Sequence, residues 1–369
     1  MRALALFPGA RSISMVDRPE PALTFPDEVK LRVLQVGICG TDREKVSGGA
    51  VRPPEGRENL VVGHEMLGLV VDAGQAVTRV KPGDYAAFTV RRGCGRCLPC
   101  AMDRPDMCET GGYRERGILG LDGYQTEYVV DREKHLVSVP PELKETGVLA
   151  EPLSIVEKAL DSAVRVQTTR LPDAPASPDW ISGRRCLVAG LGPIGLLAAL
   201  ALRLRGAEVY GMDVVDEGTP RPRWLAGIGG IYVDGRSLPP GRVDEVLGPM
   251  ELIFEAAGVA SLAFTLLDAL AVNGVYVLTG VPEGNRKVQI PGEELMRRLV
   301  IGNQVMLGSV NAASGHFRMA VQDLSAARLR WGGAVERLIT HRRAPAASGD
   351  IFQEHGADEI KVVIQWDGA

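Results

Sequence analysis

The sequence predicts an α/β protein in two parts, a β-rich domain and a doubly wound parallel sheet. Three observations carry that expectation. Residues 1–150 read as short apolar strands cut by Gly, Pro and Asp turns. From Arg185 onward strands and helices alternate, as they do in parallel βαβ units. The run Gly190-Leu191-Gly192-Pro193-Ile194-Gly195 joins the first of those strands to the first of those helices. At about 150 residues per domain, a chain of 369 residues has room for both parts.

Each element has its own signal. Residues 29–34 (VKLRVL) and 67–71 (LGLVV) are strand-like, and Lys81-Pro82-Gly83-Asp84 is a turn. The stretch 171–183 holds Pro172, Pro175, Ser177 and Pro178 and reads as a linker or long loop. Beyond it come a strand at 186–189, a helix at 194–205 and a strand at 208–212. Further strands are expected at 252–255 and 275–278. Residues 308–369 mix helix signals with a strand at 360–364, and this segment is expected to return to the first domain.

Composition narrows the function classes. A formal net charge of −4 offers no basic face for nucleic acid. The N-terminal apolar run is shorter than a secretory signal requires. The longest apolar stretch, 186–202, is broken by Gly190, Gly192, Pro193 and Gly195, so it reads as strand, turn and helix rather than a membrane span. A cytoplasmic protein is expected. In a reducing compartment six cysteines point to metal or catalysis rather than disulfides.

The glycine run matches a dinucleotide-binding turn. The first glycine permits the tight bend, the second lets the backbone approach a pyrophosphate, and the third lets helix pack on strand. Pro193 and Ile194 then open a helix whose free N–H groups face the phosphates. Asp213 closes the second strand, 18 positions after Gly195. A carboxylate there binds ribose hydroxyls and repels a 2′-phosphate, which favours NAD over NADP.

Two cysteine-bearing sites remain. Cys94, Cys97, Cys100 and Cys108 have the spacing of four thiolates enclosing a tetrahedral Zn2+ with no place for substrate, a structural site. Cys39-Gly40-Thr41-Asp42 and Gly63-His64-Glu65 offer a thiolate, an imidazole and a carboxylate. With Glu151 as the candidate third ligand they would make an open zinc site acting as a Lewis acid. Taken singly, Cys39 reads as a small buried hydrophobe, His64 as a core histidine, and Glu151 before Pro152 as a helix opening.

Together these motifs resemble the zinc-containing medium-chain dehydrogenase/reductase superfamily, over essentially the whole chain. Within it the sequence most resembles the archaeal-type glucose 1-dehydrogenases. The resemblance lies in the stretches 37–44 (GICGTDRE), 90–95 (VRRGCG), 105–111 (PDMCETG), 115–118 (ERGI), 151–159 (EPLSIVEKA) and 308–311 (GSVN).

The resemblance implies a GroES-like β-rich catalytic domain at 1–160 and 308–369, with a structural zinc lobe at 93–110. A Rossmann domain would occupy 184–307. It implies two zinc ions per chain, a catalytic one at Cys39, His64 and Glu151 with Glu65 able to enter its shell, and a structural one at the four cysteines. Thr41 would pass a proton from the substrate, and Glu115, Glu157 and Asn311 would hold sugar hydroxyls. The implied reaction moves hydride from C1 of an aldose, D-glucose first, to NAD, with NADP also possible. A dimer or tetramer is implied too.

Some positions depart from family habits. Val90 stands where some glucose dehydrogenases carry Asn. Glu157-Lys158 stands where many zinc alcohol dehydrogenases carry His. Residues 211–216 (GMDVVD) are acidic where several members are basic. Two other readings are a sorbitol- or threonine-type dehydrogenase of the same superfamily, and a non-catalytic zinc- and nucleotide-binding regulator.

Overall fold

The structure is a computed structural model and describes residues 1–171, 180–282, 284, 286–347, 352, 356 and 358–366. Most of the proline-bearing stretch expected as a linker, residues 172–179, lies outside the described residues. The chain divides into two compact units. One comprises Met1–Ser154, Asn311–Arg328 and Val335–Ala369, and the other Ile155–Val310 and Leu329–Ala334.

The first unit is built on the strand Glu28–Gly37. Its even spacing of Val29, Leu31 and Val33 buries one face, as period-2 alternation requires. It pairs antiparallel with Glu65–Ala73, Tyr128–Arg132 and Lys361–Gln365. Tyr85–Phe88 and Leu136–Val139 extend the sheet on one side, and Ile339–Arg343 extends it on the other by parallel pairing to Lys361–Gln365. Thus the strand Lys361–Gln365 belongs to the sheet of the β-rich unit. Lys81-Pro82-Gly83-Asp84 is a closed turn, with the Asp84 N–H donating to the Lys81 carbonyl. A separate small sheet pairs Arg91–Arg92 antiparallel with Arg114–Arg116, and Arg114–Arg116 parallel with Gly120–Leu121.

The second unit holds six parallel strands in the order Ile231–Asp234, Glu208–Asp213, Arg185–Ala189, Met250–Glu255, Leu270–Leu278 and Val305–Gly308. This is the 3-2-1-4-5-6 order of the doubly wound dinucleotide fold. Cys186, Leu187, Val188 and Ala189 are buried on both faces, which is why the strand reads as an unbroken apolar run. The helix Pro193–Leu204 is buried from Gly195 to Leu202, apolar on every side because it is enclosed. Among the described residues no helix is long and apolar enough to cross a membrane.

Candidate active site

Cys39 follows the strand Glu28–Gly37 and is the N-cap of the short helix Gly40–Val46. Asp42, in the first turn of that helix, accepts from the Cys39 N–H at 3.0 Å through Oδ2. Its Oδ1 accepts from the Gly63 N–H at 3.3 Å and lies 3.7 Å from His64 Nδ1. One carboxylate therefore ties together the two loops that present Cys39 and His64. Glu65 begins the strand Glu65–Ala73 and sits opposite Gly37 in the sheet register.

The ligand atoms of Cys39, His64 and Glu65 all lie within 4.8 Å of one another. His64 and Glu65 are almost fully buried. The Cys39 thiol points toward Thr41 Oγ1 at 4.0 Å. Glu151 is not one of the three clustered ligands. It is buried in the first turn of the helix Ala150–Arg170, and burial pushes its carboxyl up to about 7 against the pull of His64. For His64 burial resists the charge, but Asp42 and the Cys39 sulfur outweigh it and hold the imidazole well above its ordinary value.

A zinc ion suits this donor set of sulfur, nitrogen and oxygen. His64 Nδ1 is buried and makes no hydrogen bond with the described residues, while Asp42 stands behind it as the outer carboxylate that commonly orients a metal-bound imidazole.

The four-cysteine group is equally well formed. All four sulfurs lie within 4.8 Å of one another, with Cys94–Cys100 at 3.9 Å and Cys97–Cys108 at 4.0 Å. Zinc–sulfur bonds of about 2.3 Å place the corners of a tetrahedron about 3.8 Å apart. These two separations therefore already match tetrahedral edges. The Thr110 hydroxyl, then the Arg96 and Cys97 N–H groups, bring the Cys94 thiol down to about 5. Burial, then Cys97, pushes the Cys100 thiol up to about 12.

In the second unit Gly192 caps the helix Pro193–Leu204, with Pro193 in its first turn. Gly190 has φ +89°, and a Cβ on Gly195 would stand 1.8 Å from the Gly190 carbonyl, so the helix can pack on the strand only through glycine. Asp213 Oδ2 accepts from the Leu191 N–H at 2.8 Å and Oδ1 from the Val214 N–H at 2.7 Å. The acidic side chain expected at the ribose is thus locked against the glycine turn. A cavity of about 410 Å³ lies beyond the carboxyl ends of Met250–Glu255 and Leu270–Leu278, lined by Ala257, Ser261, Pro282 and Arg286 among others. Parallel sheets bind their ligands at such strand ends.

The residues expected at the sugar separate into two settings. In the first unit Asn311 Nδ2 donates to Glu115 Oε1 at 2.6 Å, and Glu115 is 8% exposed. In the second, Glu157 is fully buried and its Oε2 accepts from Arg205 at 2.6 Å.

Residues 25–141 match the family profile described as "Alcohol dehydrogenase GroES-like domain". Residues 144–366 match the one described as "Glucose dehydrogenase C-terminus". The chain belongs to the glucose dehydrogenase family. Its GroES-like domain and parallel Rossmann sheet are those of the zinc-containing medium-chain dehydrogenase/reductase superfamily.

Curated relatives of this dehydrogenase include a glucose 1-dehydrogenase of Methanocella arvoryzae, 37% identical over 346 residues that cover 93% of each chain. A glucose 1-dehydrogenase of Thermoproteus tenax is 37% identical over 367 residues, 99% of each chain. Among solved structures, Haloferax mediterranei glucose dehydrogenase in complex with NADP, Zn and gluconolactone superposes with TM-score 0.89. It shares 31% sequence identity, and 100% of both chains is covered.

Three residues at or beside the candidate site residues escaped the sequence reading. Asp42 had a visible signal, an acidic residue three positions after a helix N-cap. Lys361 had a fainter one, a lysine within the apolar strand Lys361–Gln365. Arg91 had none, because nothing local tells a structural arginine from a solvated one. Lys361 Nζ donates to Glu65 Oε1 at 2.5 Å and to the Ile38 carbonyl at 3.0 Å. Gly37 makes room for that pair, since a Cβ there would meet Glu65 Oε2 at 2.0 Å and Lys361 Cε at 3.0 Å.

Proposed function

We propose that this chain oxidises an aldose at C1, D-glucose first, to the aldonolactone with NAD or NADP as hydride acceptor. The observation that carries the reading is the convergence of Cys39, His64 and Glu65 within 4.8 Å, in the same unit as the Asn311–Glu115 pair. Cys39, His64 and a carboxylate, Glu65 or Glu151, hold the catalytic zinc, and Cys94, Cys97, Cys100 and Cys108 hold the structural one. The catalytic zinc, when bound, supplies the Lewis acid that lowers the pKa of the C1 hydroxyl.

The rest falls to side chains. Thr41 Oγ1 relays the hydroxyl proton, accepting a hydrogen bond from the substrate while its own proton passes on to water. Glu115 and Asn311 accept from and donate to the sugar hydroxyls, and Glu157, anchored by Arg205, serves the same purpose. A sugar lacking the matching hydroxyl leaves these groups unpaired, which is a strong basis for selectivity. Gly190, Gly192, Pro193, Ile194 and Gly195 seat the pyrophosphate on a helix N-terminus. Asp213 favours NAD. In this reading the first unit is the catalytic domain and the second the dinucleotide domain, and the protein works as a cytoplasmic homo-oligomer, a dimer or tetramer.

The test is a panel of aldoses and polyols assayed with NAD and NADP separately, together with a zinc count per chain. Glucose oxidation with two zinc ions is expected. A chain that reduces cofactor with sorbitol or threonine but with no aldose removes the proposal.

A further inference from the structure

We propose that Arg91 is a positioning residue that sets the Glu115 carboxylate from the four-cysteine lobe, so that the lobe shapes the sugar site. The inference rests on the reading of Glu115 as a sugar contact. Arg91 and Glu115 stand directly opposite each other in the small antiparallel sheet. Arg91 Nε donates to Glu115 Oε1 at 2.9 Å, and Nη1 donates to the Asp106 carbonyl at 3.0 Å. Asp106 lies between Cys100 and Cys108, inside the lobe. The guanidinium plane also rests on the Tyr113 ring, 3.9 Å from its centre. Three partners from two sides leave this buried cation little freedom, and a planar fork transmits position better than a flexible ammonium.

The carboxylate at the other end is half used. Oε1 accepts from both Arg91 and Asn311, whereas Oε2 accepts no hydrogen bond from the described residues. Oε2 is not sealed from solvent, which leaves it open to a donor such as a sugar hydroxyl. The lobe reaches the neighbouring residues as well, because Ser314 Oγ donates to Asp103 Oδ2 at 3.4 Å. Ser314 follows Asn311 by three positions, and Asn311 itself is held at φ +62° with its Oδ1 accepting from the Ala312 N–H. Glu115 is therefore held from a lobe that carries no substrate chemistry, and Asn311 is held in turn by Glu115.

The experiment compares Glu115→Gln, Arg91→Met and the double variant in the zinc-loaded enzyme. Steady-state kinetics with glucose and the monodeoxyglucoses are read together with glucose affinity by calorimetry, reduced cofactor being present. Glu115→Gln should raise the glucose KM about ten- to hundredfold, the worth of a hydrogen bond to a charged group. Arg91→Met should raise it about tenfold with kcat within about twofold, and should erase discrimination at the same hydroxyl. The double variant should be no worse than Glu115→Gln alone.

If Glu115→Gln raises KM while Arg91→Met does not, the inference is overturned and the reading of Glu115 stands. If Glu115→Gln leaves KM unchanged, the reading itself falls. Should Arg91→Met not fold, Tyr113→Leu keeps the guanidinium but removes its stacking face, and discrimination at that same hydroxyl should weaken. Unchanged discrimination in Tyr113→Leu would then overturn the inference.

Discussion

Lys361 and Glu65 form an ion pair in the interior of the β-rich unit, with side chains 2% and 1% exposed. Burial disfavours the Lys361 charge, but Glu65 and Cys39 outweigh it and raise its pKa. Cutting one partner from a buried pair leaves the other uncompensated, at about 3–5 kcal/mol. Lys361→Met should therefore lower the unfolding free energy by that order and weaken zinc retention, measured by denaturation and metal analysis. Wild-type stability together with full zinc would show that Glu65 does not depend on Lys361.

The two cysteine sites should answer differently to mutation. Cys39→Ala is expected to cut turnover about a thousandfold or more, since a Lewis acid contributes several kcal/mol, with little change in melting temperature. Cys97→Ala should lower the melting temperature first. A Cys97→Ala protein as stable as the parent but inactive would contradict a structural lobe.

Zinc uptake by the lobe should release protons. Cys100 keeps its proton well above neutral pH before metal arrives, whereas Cys94 has already lost its own at pH 7. Adding Zn2+ to stripped protein at pH 7 should liberate at least one proton per lobe, followed with an indicator dye. Metal binding without proton release would show that Cys100 is not a ligand.

His135 gives a pH signature of folding. Burial, then the Arg92 guanidinium, pushes its imidazole down to about 3. Asp131 opposes that shift, while Lys134 and Arg116 add to it. The unfolded chain therefore binds a proton near pH 6.5 that the folded chain refuses. The stability held above pH 6.5 is lost as pH falls toward 3, at no more than about 1.4 kcal/mol per unit. His135→Gln should flatten the stability-against-pH slope in that window, and an unchanged slope would rule His135 out.

Asp213 should govern cofactor choice. Asp213→Ala removes the carboxylate that a 2′-phosphate would meet, so the NADP-to-NAD ratio of kcat/KM should rise about tenfold or more. No movement in that ratio would mean that Asp213 serves the Leu191 and Val214 amides rather than the cofactor.

Sequence reading reached unevenly into this protein. The parallel sheet was legible because fully buried strands such as Arg185–Ala189 are apolar runs bounded by glycines. The glycine turn and the four cysteines were legible because their spacing is their chemistry. Strand ends were less so: Leu270–Leu278 begins five residues before its apolar core at Val275, carried there by pairing with Met250–Glu255. What local pattern could not show was partnership at long range. Lys361 with Glu65, Arg91 with Glu115 and Arg205 with Glu157 are each set by tertiary packing. A charged residue in an apolar strand announces a partner without naming it.

Lys361–Gln365 lies between Glu28–Gly37 and Ile339–Arg343 in the sheet, and Lys361 reaches back 323 positions to the carbonyl of Ile38. A ribosome extends the chain from its N-terminus, and Tyr128–Arg132 covers Glu28–Arg32 on that side early, so for most of synthesis only the Gln35–Gly37 end stays open, a ready place for wrong pairing. The Lys361–Glu65 pair must therefore form after residue 361 is translated. A cell making this protein has reason to shield the nascent chain until then.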